Sequence, residues 1–522
     1  MMEDSKTTDN SMQRKGGVFL SYVSIIINTL IQLLYTPFLL RMLGQSEYGL
    51  YSLVASIISY LTVLDLGFGN ALIVYTSKYR AEGKVKEEKK LHGMFKIVFL
   101  IIGLLATILG IILYFNVELF FGSSMTSSEI TKMKIMMLIL SFNLMISFSF
   151  NIYSSIISAY EKFVFQKIIA IGSAFLKPLI MIPLLLLGYK SIAMTLVITI
   201  TNILVVLSNY FFCKNRLNIK IKYSGFDKKL FKKIFGYSIW IFIGAIVDKI
   251  NWSVDNFVLG AVSGTLAVSI YSIAATLNQM FISLSAAISG VLLPKMSSLV
   301  AKKASSRVLT DEMIKVGRLQ NYIIFLMCSG LILFGKDFII IWAGDSYSES
   351  YYVSLLLIIP ICIPLIQNLG LSILQAMNKF RFKSISSAIM SIINLLISVF
   401  LAKKWGATGA ALGTCISLVI CNIIIMNIYY YKIIKIDIYS FWKSIIKQTI
   451  PFMIPIVAAL ALKTFINFGF IMSFILNCSI YILLFCIISY MFSMNDYEKN
   501  IILNIISKLG IKKVKYERNS KV

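Results

Sequence analysis

Basic residues fill every second gap between the long apolar segments of this chain, and this regularity limits the fold more than any other feature. Apolar segments recur from residue 18 to residue 491, and 40 of the 50 Lys and Arg residues lie in alternate gaps or at the chain ends. The gaps at residues 78–96 and 214–233 are the richest, with 7 and 8 basic residues. Short loops rich in Lys and Arg stay on the cytoplasmic side of a membrane. The pattern therefore predicts a polytopic inner-membrane protein.

Fourteen apolar segments are long enough to cross a bilayer. A helix needs roughly 20 apolar residues to cross about 30 Å of hydrocarbon. The predicted spans are residues 17–41, 48–72, 94–115, 133–157, 168–187, 191–213, 234–258, 265–291, 319–342, 351–375, 384–402, 407–430, 448–466 and 471–492. An even number of spans places both termini in the cytoplasm, although Lys403 and Lys404 would then lie outside, against the charge pattern. We expect an all-α polytopic membrane protein.

The two halves of the chain resemble each other. The segment AYEKFVF at 159–165 reappears as AMNKFRF at 376–382, an offset of 217 residues. Further pairs at similar offsets are Leu43-Gly44 with Leu259-Gly260, Tyr51-Ser52 with Tyr271-Ser272, and Gly188 with Gly406. Internal repeats are typical of transporters. Because the offset covers six spans, an even number, we predict two six-helix lobes in a pseudo-two-fold parallel repeat, plus two extra C-terminal helices.

These patterns divide the chain into six segments. They are a cytoplasmic N-terminal tail (1–16), a first lobe of spans one to six (17–213), a basic cytoplasmic linker (214–233), a second lobe of spans seven to twelve (234–430), spans thirteen and fourteen (431–492), and a basic cytoplasmic C-terminal tail (493–522).

Composition argues against nucleic-acid binding and against an enzyme. The net charge is +27, but the basic residues are spread over many short loops, where the anionic inner face of the membrane explains them. The seven cysteines include no CxxC pair, and His92 lies in a basic loop, where we expect a solvated side chain. No phosphate-binding loop or metal-spaced cluster appears, so we expect no catalytic residue, metal or cofactor.

Polar residues follow one face of span seven. Gly244, Asp248, Asn251 and Asp255 recur at helical spacing, with Lys249 about 100° away from Asp248. Charged residues inside a membrane are costly and indicate a functional site.

Span one carries a similar polar stripe. It consists of Asn28, Gln32 and Tyr35, which an offset of 216 places opposite the stripe of span seven. We predict that both stripes line one central cavity. Interhelical hydrogen bonding that holds the bundle together is the alternative.

Three further charged residues are candidates. Asp65 lies deep in span two near Gly67 and Gly69, which are expected to break the helix. Lys177 lies in the middle of span five, and Arg41 closes span one, where a basic side chain often extends to the interface instead.

Arg41 and Asp255 fall near the outer ends of equivalent spans. We predict that they form a gate that opens and closes, and that Asp65 and Asp255 couple transport to H⁺ or Na⁺.

Two stretches carry a family resemblance. LGQSEYGLYSLVASIISYLTVLDLGFGNALIVYTSKY at 43–79 and LQAMNKFRFKSISSAIMSIINLLISVFLAKKWGATGAALGTCIS at 374–417 resemble the polysaccharide repeat-unit flippases of the Wzx type. These belong to the multidrug/oligosaccharidyl-lipid/polysaccharide exporter superfamily. The resemblance implies two lobes around a cavity that opens alternately to each side. It also implies an undecaprenyl-diphosphate-linked oligosaccharide as substrate, moved outward for O-antigen, capsule or another surface polysaccharide.

The resemblance further implies where the substrate binds. A cationic cavity would receive the diphosphate, which makes Arg41, Lys177 and Lys249 the basic candidates, and spans thirteen and fourteen would form a groove for the lipid tail. Membrane lipids and polysaccharide polymerase or assembly proteins are the implied partners.

Three alternatives share parts of this pattern. A drug exporter of the same superfamily would have the same fold, and a lipid II or teichoic-acid-type flippase would differ only in the head group carried. An enzyme of the same pathway would need catalytic motifs and a large outer loop, and this chain has neither.

Overall fold

The computed structural model describes residues 2–219, 221, 225–289, 296, 298–300, 302, 304–377, 379–465 and 469–508. All regular secondary structure in these ranges is helical, as the apolar segments predict. With no water in the hydrocarbon, a helix satisfies its backbone polar groups within one segment.

The first half of the chain forms seven helices. They are α1 (Met2–Leu43), α2 (Gln45–Leu61), α3 (Phe68–Ala81), α4 (Val85–Phe121), α5 (Ser127–Ala159), α6 (Phe163–Leu186) and α7 (Ser191–Asn215). A 3₁₀ turn, Thr62–Asp65, separates α2 from α3. The second half continues with α8 (Lys228–Val262), α9 (Gly264–Ser289), α10 (Ser306–Ala343), α11 (Ser350–Ile366), α12 (Asn368–Ala376) and α13 (Phe380–Leu418). The chain then forms α14 (Met426–Tyr429) between two π-helical segments, followed by α15 (Ile438–Thr449), α16 (Met453–Phe465), α17 (Phe470–Ile488) and α18 (Asp496–Lys508).

The helices account for about fourteen spans. Within the described ranges, 11 helices are long and apolar enough to cross a membrane, and α11 with α12, bent by 50°, makes a twelfth. One of the 11, Phe380–Ile434, has 55 residues, far more than the roughly 20 that one crossing needs. Trp405 and Gly406 leave the helical conformation inside it, which divides it into two spans. The polar helix α8, with 35 residues, supplies the remaining crossing, and the predicted fold class is confirmed.

Helix ends on the loops carry local sequence signals. Thr126 and Glu129 form a capping box at the start of α5. Asp227 caps α8 by accepting a hydrogen bond from the backbone N–H of Leu230 at 3.0 Å. This hydrogen bond holds the pKa of Asp227 below its usual value.

The chain divides into two compact units. Unit 1 comprises Met1–Met280, Trp342–Leu357 and Ser384–Ser417, and unit 2 comprises Phe281–Ile341, Ile358–Lys383 and Leu418–Val522. Unit 1 thus holds the whole predicted first lobe together with parts of the predicted second lobe. Its buried core is built largely from α2, α3, α4 and α5.

Matching aromatic stacks support the repeat. In unit 1, the rings of Phe165 and Phe212 stack with their centroids 3.8 Å apart. In unit 2, Phe382 and Tyr429 stack at 4.2 Å. Both partners of the second pair follow those of the first by 217 residues, the offset of the sequence repeat.

The predicted register of the first spans of the two lobes is wrong by four residues. Gly44, at a φ of 78°, lies at the break before α2, whereas its predicted equivalent Gly260 lies inside α8. The corresponding break falls at Gly264, which also has a φ of 78°. The offset here is therefore 220 residues, the same as that between Tyr51 and Tyr271. The sequence match misled because Leu-Gly pairs are common in apolar helices, whereas the backbone break occurs once.

His92 is buried rather than solvated. Only 3% of its surface is exposed, and its Nε2 atom lies 3.1 Å from the Thr76 hydroxyl. Helix α4 begins at Val85, so His92 shares its inward face with Glu88 and Phe95. The prediction failed because the basic residues belong to this helix, not to a loop.

Candidate functional site: a polar cavity in unit 1

A broken helix places Asp65 inside the protein. Helix α2 ends at Leu61, and Leu66 and Gly67 adopt positive φ values of 53° and 72° before α3 begins. The predicted break is therefore confirmed. Helix breaks at membrane depth are tolerated where the freed backbone lines a cavity or is buried in protein.

Two hydrogen bonds fix the Asp65 carboxylate. Its Oδ1 accepts one from the amide of Asn151 on α5 at 3.0 Å, and its Oδ2 accepts a longer one from the backbone N–H of Gly69 at 3.4 Å. The carboxylate thereby joins α5 to the start of α3.

A cavity of about 760 Å³ opens beside Asp65. Its walls come from α2, the 3₁₀ turn, α5, α6 and α7, all within unit 1. The polar residues that line it are Tyr51, Ser59, Thr62, Asp65, Asn143, Ser147, Asn151, Ser173, Lys177 and Asn202. The volume lies within the range of small-molecule sites, roughly 300–1,000 Å³.

Asparagines dominate the wall formed by α5 and α7. Asn143, Ser147 and Asn151 follow one face of α5 at intervals of four residues, as helix geometry requires. Asn202 of α7 donates to Asn143 Oδ1 and to Ser147 Oγ, both at 2.6 Å. Sequence reasoning missed these residues because they are uncharged, although the spacing in α5 was a readable signal.

Lys177 supplies a positive charge to the α6 wall. Its side chain is exposed, and it forms no ion pair with any residue in the described ranges. Pro178 follows it inside the helix. Because proline lacks an N–H, the helix loses one backbone hydrogen bond beside this lysine.

Asp255 belongs to a separate, buried cluster in unit 1. Only 1% of its surface is exposed, and its Oδ2 accepts hydrogen bonds from Tyr271 and, at 2.7 Å, from Thr414. Its Oδ1 has no hydrogen-bond partner among the described residues. Thr414 also accepts from the amide of Asn394 at 3.3 Å, and Ser398 donates to Asn394 Oδ1 at 3.1 Å. The cluster offers several oxygen atoms around a carboxylate.

A second carboxylate joins the two repeats within unit 1. Oε1 of Glu129 accepts hydrogen bonds from Ser46, at the start of α2, at 2.6 Å and from Thr265, at the start of α9, at 2.7 Å. Helices α2 and α9 approach closely here, since a Cβ added to Gly49 would lie 1.9 Å from the Thr265 carbonyl oxygen. We call this contact the α2–α9 junction.

The remaining predicted residues lie elsewhere. Asn28 is exposed and donates to the Ser24 carbonyl oxygen at 2.7 Å, while Gln32 and Lys249 are half-buried. The residues that line the cavity include neither Asn28, Gln32 nor Lys249. Arg41 is exposed in the last turn of α1.

The side chains of Asp248 and Asn251 lie outside the described part of the structure. The structure therefore brings Asp65 and Lys177 together in one cavity and places Asp255 in another cluster.

An all-helical fold built from parallel repeats, with a polar cavity among its spans, defines the class of membrane transporters. Residues 15–300, more than half of the chain, match the family model described as "Polysaccharide biosynthesis protein". The chain belongs to this family. The resemblance to Wzx-type flippases is thereby confirmed, and so is a multi-pass inner-membrane protein.

Individual relatives agree with this family. A Shigella flexneri protein named "Putative O-antigen transporter" is 22% identical over 418 residues, covering 77% of this chain and 94% of that protein.

Two solved structures share the fold. The lipid II flippase MurJ, in an inward closed conformation, matches with a TM-score of 0.73 and 19% identity over 93% of this chain and 99% of that chain. A multidrug resistance MATE family transporter of the MOP superfamily matches at 0.56 and 14% over 77% and 96%. The family and the fold are those of transporters and flippases rather than of enzymes.

Proposed function

We propose that this chain moves an undecaprenyl-diphosphate-linked oligosaccharide from the cytoplasmic to the outer leaflet of the inner membrane, for surface polysaccharide synthesis. The family match over residues 15–300 carries this proposal. The relative named as an O-antigen transporter supports the substrate class, and the MurJ-like fold is compatible with it.

Lys177 is the cation that we assign to the diphosphate. A charge-assisted hydrogen bond to a phosphate is stronger than a neutral one, and Lys177 has no competing ion pair among the described residues. The inside-negative potential favours outward movement of a negative group by about 2.3 kcal/mol per charge per 100 mV. The lipid tail would follow spans thirteen and fourteen, where α17 exposes Ile471, Ile475 and Leu483.

Alternating access requires contacts that open and close. The α2–α9 junction is a contact of this kind, because it joins helices from the two repeats at their predicted outer ends. The pair of Arg41 and Asp255 stays a prediction, and Asp255 has Tyr271 and Thr414 as partners in the arrangement described here.

Asp255 is our candidate for ion coupling. A fully buried carboxylate is costly unless it is paired or neutralised, and a proton or Na⁺ at the unpartnered Oδ1 would neutralise it.

Deletion and complementation test the proposed function. A strain that lacks this chain should accumulate lipid-linked oligosaccharide and lose surface polysaccharide, and the wild-type chain should restore export. Lys177→Ala should reduce export by about 10- to 100-fold, the worth of one hydrogen bond to a charged group. Lys190→Ala, just before α7 and outside the cavity, is the matched control and should export normally.

The same strains separate the alternatives. A drug exporter would leave lipid-linked sugar unchanged on deletion, with altered drug resistance instead. Accumulation of lipid II rather than an oligosaccharide repeat unit would assign the chain to peptidoglycan synthesis.

A further inference from the structure

The asparagine side chains of the cavity in unit 1 have hydrogen-bonding capacity left over. Asn202 uses both amide hydrogens, on Asn143 Oδ1 and Ser147 Oγ, so its own Oδ1 has no partner among the described residues. The Nδ2 of Asn143 likewise has no partner there. Asn151 donates one hydrogen to Asp65 and keeps its second hydrogen and its Oδ1. Donors and acceptors therefore face the same space.

This mixture distinguishes between the parts of a glycolipid. A diphosphate only accepts hydrogen bonds, so the oxygens of Asp65, Asn151 and Asn202 would repel it. A sugar hydroxyl both donates and accepts, and it can satisfy amide donors and carboxylate or amide oxygens together. Polar groups left unpaired in a closed site weaken binding, so the match matters energetically.

Lys177 differs from its neighbours because it is a pure donor with a positive charge. It lines the same cavity from α6, whereas the asparagines lie on α5 and α7. The cavity therefore combines one phosphate-type contact with a set of hydroxyl-type contacts. In a lipid-linked sugar, the diphosphate is bonded directly to the first sugar, so the two kinds of contact are needed side by side.

We propose that this cavity binds the junction between diphosphate and first sugar. Lys177 contacts the phosphate, and Asn143, Asn151 and Asn202, with Asp65, bind the hydroxyl and amide groups of the sugar. This inference rests on the proposed function and adds to it a site that selects the glycosylated carrier over the bare one.

Two ligands and two kinds of variant test the site. The full-length protein in lipid nanodiscs is titrated with synthetic undecaprenyl diphosphate, which lacks sugar, and with the lipid-linked sugar that the deletion strain accumulates. Asn143→Ala and Asn202→Ala should each weaken binding of the glycosylated ligand about tenfold, equivalent to about 1.4 kcal/mol. They should leave binding of the sugar-free ligand within about twofold, on the same scale. Lys177→Ala should weaken both ligands.

Controls keep the outcomes distinct. Asn116→Ala removes an exposed asparagine of α4 that donates only to the Ile112 carbonyl oxygen, and it should change neither affinity. Binding of the sugar-free ligand reports that a variant is folded. If the pairing of Asn143 with Asn202 proves essential for folding, Asn151→Ala leaves that pair intact and should show the same selective loss.

Two results would overturn the inference. An equal loss for both ligands would mean that the asparagines contact the diphosphate, and no loss for either would mean that they contact no ligand. Both results leave the proposed function standing. If the deletion strain accumulates no lipid-linked sugar and the wild-type protein binds neither ligand, the proposed function itself fails.

Discussion

The α2–α9 junction leaves no room for a side chain at Gly49. An alanine Cβ there would lie 1.9 Å from the Thr265 carbonyl oxygen, 2.8 Å from its carbon and 3.2 Å from Ser269 Cβ. The two nearest atoms are backbone atoms, which cannot rotate away. To reach ordinary contact, the helices must separate by about 1.5 Å. Overpacking of this kind costs about 1–3 kcal/mol.

This cost falls on one arrangement of the protein only. Gly49→Ala should destabilise the joined state relative to any state in which the outer ends of α2 and α9 have separated. A change of about 1–3 kcal/mol shifts such an equilibrium by about 5- to 150-fold.

Disulfide crosslinking measures the shift. The hydroxyl oxygens of Ser46 and Thr265 lie 3.4 Å apart, so cysteines at these positions are within reach of a disulfide. In a background without the native cysteines, this pair should crosslink readily, and adding Gly49→Ala should reduce the yield. Gly172→Ala is the control, because its Cβ would meet nothing within 4 Å. Equal crosslinking with alanine and glycine at position 49 would refute the close approach.

Three further predictions concern topology, coupling and stability. A cysteine at Ser123 should react with a membrane-impermeant thiol reagent in intact cells, and one at Ser305 only after permeabilisation; the reverse result would invert the topology. Asp255→Asn keeps the size of the side chain but removes its charge, so export should fall while protein abundance holds; normal export would exclude coupling at this residue. Glu498→Gln breaks a bidentate pair with an arginine, in which the Glu498 side chain is 2% exposed. It should cost roughly 3–5 kcal/mol of stability, against about 0–1 kcal/mol for Asp337→Asn in a more exposed pair, as thermal denaturation would show.

Features that are local in the chain could be predicted from the sequence. Span positions follow from runs of apolar residues, and the break after Asp65 follows from glycines that tolerate positive φ. The stacked pairs of Phe165 and Phe382 lie in the very segments whose similarity indicated the repeat.

Features that depend on packing between distant segments could not be predicted. Asn143 and Asn202 are 59 residues apart, and nothing in either segment indicates that α5 and α7 bring them together. The four-residue error in register had a similar origin, since a short sequence match cannot fix where a helix breaks. In the corrected register, Asp255 is equivalent to Tyr35, six residues before Arg41, or about 9 Å along a helix. The reason for pairing Arg41 with Asp255 is therefore weaker, although the pair itself is untested.

The cavity and the α2–α9 junction should be separable by mutation. Every residue that lines the cavity belongs to α2, the 3₁₀ turn or α5–α7, and so to the first repeat alone. A ligand held only by these residues makes the same contacts whether the repeats are joined or apart at their outer ends. A ligand with equal affinity for two states shifts neither state, and a shift between them leaves its affinity unchanged. Gly49→Ala should thus alter export while the affinity of the cavity for the glycosylated ligand stays within about twofold, and Asn143→Ala should lower that affinity without changing the Ser46–Thr265 crosslink. A large change in affinity on Gly49→Ala would show that the second repeat also contacts the ligand.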